Sequence, residues 1–145
     1  MQKETAGLPT VDSFDELVAL VASSPGMYLR YSPGPEQDEK DGPSRDYESG
    51  QEMPGWSVTT IDPEPWWTRP AADWIARRVC KYGELGEESD RFPWLLRGRR
   101  VGSGPDHEPL VDSLAPVARL TEDVVVEAQQ RYESRLDAGN DSRDE

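Results

Sequence analysis

"SFDELVALVASSPGMYLRYSP", residues 13–33, changes its apolar spacing halfway, and that change decides the fold class. In the first part Leu17, Leu20 and Val21 recur at helical spacing. Ser13 stands where an N-cap belongs and Glu16 completes an S-x-x-E capping box, so a helix is predicted that Pro25 and Gly26 end. In the second part the pattern alternates. Met27, Leu29 and Tyr31 face one way and Tyr28, Arg30 and Ser32 the other, which is the two-residue period of a short strand. Arg30 is then a charge in mid-strand.

Working outward, residues 33–55 carry no helical period and many breakers, and read as one long Gly/Pro-rich loop with "PEQDEKD" as its exposed tip. Its last part, "GPSRDYESGQEMPGWSV" (42–58), delivers Tyr47 and Ser57 toward the strand that carries Arg30. "WSVTTI" reads as a strand with Trp56, Val58 and Thr60 on one face and Ser57 and Thr59 on the other. "RPAADWIARRVCKYGEL" reads as a helix opened by Pro70, with Trp74, Ile75, Val79 and Tyr82 as its apolar side. "FPWLLRGRRVGSG" resembles a strand weakened by Gly98, and "DHEPLVDSLAPVARL" supplies one or two further strands. "TEDVVVEAQQRYESRL" closes the order as a helix with cap candidate Thr121 and a stripe of Val124, Val125, Ala128, Tyr132 and Leu136.

Strands this few and irregularly spaced do not make repeated βαβ units. The expected fold is α+β, a single compact domain over residues 10–138 with a small, mostly antiparallel sheet flanked by about three helices. Residues 1–9 and 139–145 read as flexible tails.

The chain has 145 residues, 29 acidic against 16 basic, and a net charge of −13. That charge repels a phosphate backbone, so direct nucleic-acid binding is disfavoured, while it fits first a soluble protein, and also one that docks on a basic partner surface or one that imitates nucleic acid. Cys80 is the only cysteine, which excludes an intramolecular disulfide and a thiolate zinc cluster. No apolar run approaches membrane-spanning length and the first residues lack a secretory pattern, so a cytoplasmic protein is expected. Thirteen Arg against three Lys suggests a GC-rich bacterial genome.

Phosphate-loop, dinucleotide-fingerprint, nucleophile-elbow and H-E-x-x-H motifs are all absent. "GSGPDHE" contains G-x-G, but a proline follows and no helix N-terminus is available to take a pyrophosphate. His107 is the only histidine, with no serine marked as its partner, and reads as a polar surface residue. Cys80 lies in an amphipathic helix and reads as a small buried residue. No acidic cluster has the spacing of a calcium loop, and no metal is expected.

One dispersed set carries chemistry: Arg30 in "YLRYS", Ser57 in "WSVTT" and Glu108 in "GPDHEPLV". An Arg on a first strand, a Ser on a later one and a Glu opening a late strand resembles the Arg-Ser-Glu order of ADP-ribosyltransferases. The resemblance implies that NAD is the substrate. Arg30 would then contact its phosphate or ribose, Ser57 would brace the site, and Glu108 would hold the nicotinamide ribose hydroxyl. Such groups suit the reaction, because a fixed carboxylate stabilises the charge that builds on the sugar and Arg presents a planar fork to phosphate oxygens. Tyr47, Trp56, Trp66 and Trp67 could enclose the nicotinamide ring. Asp106 stands where many transferases keep an acceptor-activating Gln or Glu. The sequence departs from the family in having Trp56-Ser57-Val58 in place of a polar triplet.

Over about residues 10–137 the chain also resembles a family of small uncharacterised bacterial proteins, through "RYS", "DYESG", "WW.RP" and "GPDHEPLV". That resemblance implies no activity. Two functions therefore stand: an NAD-binding transferase or NAD glycohydrolase using Arg30, Ser57 and Glu108, and a non-catalytic acidic interaction protein, an inhibitor or nucleic-acid mimic, that binds a basic partner.

Overall fold

In the computed structural model, which describes residues 8–44, 49–81, 91–104 and 107–134, strand β1 is Thr10–Val11 and helix α1 is Phe14–Ser23. Ser13 caps α1 as its sequence position requires, its hydroxyl accepting from the Glu16 N–H at 3.1 Å. The Glu16 carboxylate reaches back to the N–H of Asp12, one residue before the cap. Strand β2 (Tyr28–Ser32) follows, then helix α2 (Pro35–Asp41).

Helix α2 corrects the reading of "PEQDEKD" as an exposed loop tip. Its one buried residue is a charged one, Asp38, so no apolar stripe announces it. Hydrogen bonds hold it against the sheet where a hydrophobic face would normally do so. Strands β3 (Trp56–Ser57) and β4 (Thr59–Thr60) come next, and they correct the reading of "WSVTTI" as one strand. The two lie in different sheets, and the chain passes from one sheet to the other at Val58.

Helix α3 covers Ala71–Lys81, and Tyr82 lies outside the described residues. Strands β5 (Phe92–Arg97), β6 (Arg100–Ser103), β7 (Pro109–Val111) and β8 (Ala115–Leu120) lead to helix α4 (Glu122–Tyr132). Tyr47, Asp106 and Leu136 also fall outside the described residues.

The fold is α+β and its strand pairing is mostly antiparallel, as expected, but two sheets take the place of one. The five-stranded sheet has the order β1-β8-β5-β2-β4, and the three-stranded sheet the order β3-β7-β6. Among the described strands, only β1 against β8 is parallel. Among the described residues the helices number four, the extra one being α2.

The alternation along β2 divides the core. Leu29 and Tyr31, with Met27 before the strand, join Leu17, Ile75, Val79, Leu95, Leu120 and Val124 in the cluster between the large sheet and helices α1, α3 and α4. The opposite face carries Trp94 and Leu96, which meet Val58, Val111 and Leu114 against the small sheet. Helices, large sheet and small sheet are thus stacked as layers, with the large sheet buried on both faces. Each fully buried large side chain here contributes on the order of 2 kcal/mol through removal of apolar surface from water. Two glycines let the small sheet close up: a Cβ at Gly98 would lie 2.5 Å from the Ser113 carbonyl oxygen, and one at Gly55 would lie 2.4 Å from that of Val111.

Candidate functional site

Arg30 and Ser57, distant in sequence, are brought into contact between the two sheets. Strand β3 is an edge of the small sheet, so the backbone groups of Ser57 that face away from β7 need partners. The Ser44 hydroxyl accepts from the Ser57 N–H at 3.0 Å, and Arg30 Nη1 donates to the Ser57 carbonyl at 2.6 Å. The two serine hydroxyls also bond each other at 3.1 Å.

The other edge of the guanidinium faces α2, where Arg30 Nε donates to Asp38 Oδ2 at 2.7 Å. The Ser32 hydroxyl donates to the same oxygen at 2.6 Å and accepts from the indole N–H of Trp94 at 2.9 Å. The indole N–H of Trp56 donates to the Asp38 carbonyl at 3.2 Å. Asp38 is 4% exposed, so its charge is held by a cation and a hydroxyl inside the protein. The network ties β2, α2, β3 and β5 together.

Glu108 takes a different course. Strands β3 and β7 pair Ser57 with Leu110, and the Val58 N–H donates to the Pro109 carbonyl, so Glu108 lies just beyond the paired segment. Its carboxylate lies against Gly104, whose N–H donates to the Glu108 carbonyl and whose carbonyl accepts from the His107 N–H. His107 is exposed and has a positive φ of 67°.

The expected site set is therefore divided. Arg30, Ser57 and Trp56 come together. Trp66 lies across the large sheet from them, because it packs on Trp74, a member of the helix-side core. Trp66 cannot enclose a ring held beside Arg30. Two cavities are formed among the described residues, and neither is lined by Arg30, Ser57 or Glu108.

The larger cavity, about 440 Å³, opens between α3 and α4 and is lined by Trp66, Trp74, Arg77, Arg78, Cys80 and Tyr132. The pattern W74-x-x-R77-R78 puts Trp74, Arg77 and Arg78 on one helical face, a spacing legible in the sequence, although of the cavity's lining residues only Trp66 was singled out as a ligand contact. Helix α3 is fixed to α4 by the buried Asp73, which accepts from Arg131 Nε at 2.8 Å. Trp66, Trp67 and Trp74 meet edge to face with centroid separations of 6.1, 5.6 and 5.0 Å. Arg78 sits over the Trp74 ring at 4.6 Å. Burial, with a smaller part from Glu133, pushes the Cys80 thiol up to about 11, which keeps it protonated and makes it a poor nucleophile at neutral pH. The smaller cavity, about 160 Å³, lies between Leu8, the start of α2 and Phe92.

Among the described residues no helix is long and apolar enough to cross a membrane, and no group of three or more His, Cys, Asp or Glu side chains could hold a metal ion. No curated protein and no solved structure matches the chain. A family model does match, over residues 4–143, and its description is "Family of unknown function (DUF6098)". The whole-chain resemblance to an uncharacterised family thus has a definite form: the chain belongs to DUF6098.

Proposed function

We propose that the protein is a non-catalytic interaction protein that docks an acidic surface on a basic protein partner. The observation that supports this reading is the segregation of surface charge that the topology produces. Strands β1, β2 and β8 all finish at the end of the large sheet where β5 begins. Three helices start there, and each brings exposed acids: Asp12, Asp15 and Glu16 around the start of α1; Glu36, Glu39 and Asp41 on α2; Glu122, Asp123 and Glu127 on α4. Lys40 and Arg91 are the exposed bases in the same segments. The exposed Arg97, Arg99 and Arg100 stand at the opposite end of β5, where Arg97 donates to the carbonyls of Ser24 and Pro25, just past the end of α1.

Acids in a helix's first turn also complement its dipole, at about 0.3–1 kcal/mol each. That role covers one turn per helix; the convergence of three such helices creates a field that steers a cationic partner. The competing NAD-cleaving reading needs Arg30 to serve phosphate, yet its Nε is engaged by Asp38 and its Nη1 by the Ser57 carbonyl. Freeing it would strand a buried carboxylate.

The test is affinity capture from cell extract at low and moderate salt, comparing wild type with a Glu39→Lys/Glu122→Lys variant whose folding is checked by circular dichroism. Retention of a basic protein by wild type at low salt, and its loss both in the variant and at moderate salt, is expected. Equal retention by both proteins, or none by wild type, overturns the proposal. NAD turnover that disappears in Glu108→Gln would establish the transferase reading in its place.

A further inference from the structure

The cleft between α3 and α4 stands apart from the acidic end, and its chemistry is of the opposite sign. On a chain of net charge −13, a cavity of about 440 Å³ is lined, among the described residues, by two arginines, two tryptophans, a cysteine and a tyrosine, with Glu133 close enough to act on Cys80. That volume falls within the range of sites for small organic ligands.

Three features of the cleft point to the kind of ligand. Trp66 is 65% exposed, while its neighbours Trp67 and Trp74 hold it by edge contacts; this leaves a large aromatic surface in water, fixed in orientation. Arg77 is exposed at the same cleft and presents a planar fork suited to phosphate oxygens. Trp74 is only 3% exposed, yet its indole N–H is buried with no acceptor among the described residues. A buried donor without a partner in a cavity wall is a group that a ligand oxygen or ring nitrogen can satisfy.

We propose that this cleft binds a small aromatic phosphate, a planar heterocycle joined to a phosphate group, with the ring against Trp66 and the phosphate on Arg77. The cation–π contact of Arg78 with Trp74 stiffens the wall behind the ring and adds positive potential to the cleft. Cys80, held protonated by burial, contributes shape rather than charge. Because Asp73 and Arg131 lock α3 to α4 beneath the cleft, its two walls are set before a ligand arrives.

Tryptophan fluorescence and calorimetry on the full chain test this with adenosine monophosphate, adenosine and inorganic phosphate as separate probes. The nucleotide is expected to bind saturably and to quench fluorescence. Adenosine and phosphate alone are expected to bind at least about tenfold more weakly, since each meets only half of the site. Arg77→Ala and Trp66→Ala alter exposed side chains, so both variants should fold. Arg77→Ala should weaken the nucleotide about tenfold and leave adenosine unchanged. Trp66→Ala should weaken nucleotide and adenosine alike. No saturable nucleotide binding at millimolar concentration overturns the proposal, as does nucleotide affinity unchanged in Arg77→Ala. Equal affinity for nucleotide and adenosine would show that the site reads a ring alone, and would also overturn it.

Discussion

Arg30 and Asp38 meet 2.7 Å apart in the space between the two sheets, with side chains 17% and 5% exposed. A helix with no apolar stripe is held in place through this pair. Replacing one partner leaves the other charged and nearly dry. Asp38→Ala should therefore lower stability by roughly 3 kcal/mol, read from the midpoint of urea denaturation. An unchanged midpoint would mean that α2 is anchored by something other than this pair. The companion variant Arg30→Lys keeps the charge but loses the fork that reaches both Asp38 and the Ser57 carbonyl, and should cost about 1–2 kcal/mol.

At Gly98 the chain leaves the large sheet for the small one, and backbone from the β7–β8 connection stands where a side chain would go. Gly98→Ala is expected to destabilise the protein by about 2 kcal/mol or more, because the obstacle is a carbonyl oxygen rather than a movable side chain. Gly102→Ala, where nothing lies within 4 Å, is the matched control and should be close to neutral.

Stability should fall as pH rises above 9. In the unfolded chain Cys80 ionises near 9.0 and Tyr31 near 10.0. In the folded chain burial pushes Cys80 up to about 11. Burial, and secondarily Cys80, raises Tyr31 as well, while its hydroxyl donates to the Val79 carbonyl at 2.9 Å. Above pH 9 the unfolded state thus binds fewer protons than the native one, and the balance shifts toward unfolding until the folded groups ionise too. Thermal melts from neutral to alkaline pH should show this decline, and Tyr31→Phe should flatten it. A melting temperature that holds steady to pH 11 would contradict the assignment.

The same burial predicts a sluggish thiol. At about pH 8 only about one Cys80 in a thousand is ionised in the native protein. Alkylation by iodoacetamide should be far slower than for a free thiol and should reach the ordinary rate in denaturant. Rapid modification of the native protein would show that the cysteine is activated.

Several elements were legible because they depend on local rules. The Ser13 cap, the stop at Pro25-Gly26 and the inward set Met27, Leu29 and Tyr31 all follow from residues within a turn or a strand of one another. Helix α2 was not legible, because what buries it is the chemistry of Asp38, whose partners Arg30 and Ser32 lie on a preceding strand. The second sheet was hidden for a related reason. Trp56–Ser57 and Thr59–Thr60 are too short for a period to report that the chain changes sheets between them.

The candidate site shows the same boundary between local and distant information. The sequence marked Arg30 and Ser57 as unusual, and they do touch, yet it could not show that the contact joins a side chain to a backbone carbonyl. Trp66 was marked for its aromaticity, but the face on which it falls depends on how α3 packs. The arginines at 77 and 78 gain meaning only once α4 brings Tyr132 to the other wall of the cleft.

The short parallel pairing of Thr10 with Arg119 and Val11 with Leu120 has a consequence for the order of assembly. As the chain leaves the ribosome, β1 has no partner until β8, the last of the described strands, has been made. Until β8 is made, β5 is an open edge of the large sheet and β1 has no strand beside it. Pairing of β1 with β8 is therefore a late event that joins the two ends of the sequence, with a high loop-closure cost for few hydrogen bonds. A nascent chain stalled before Leu120 would hold β1 without its partner strand, open to aggregation or to a chaperone.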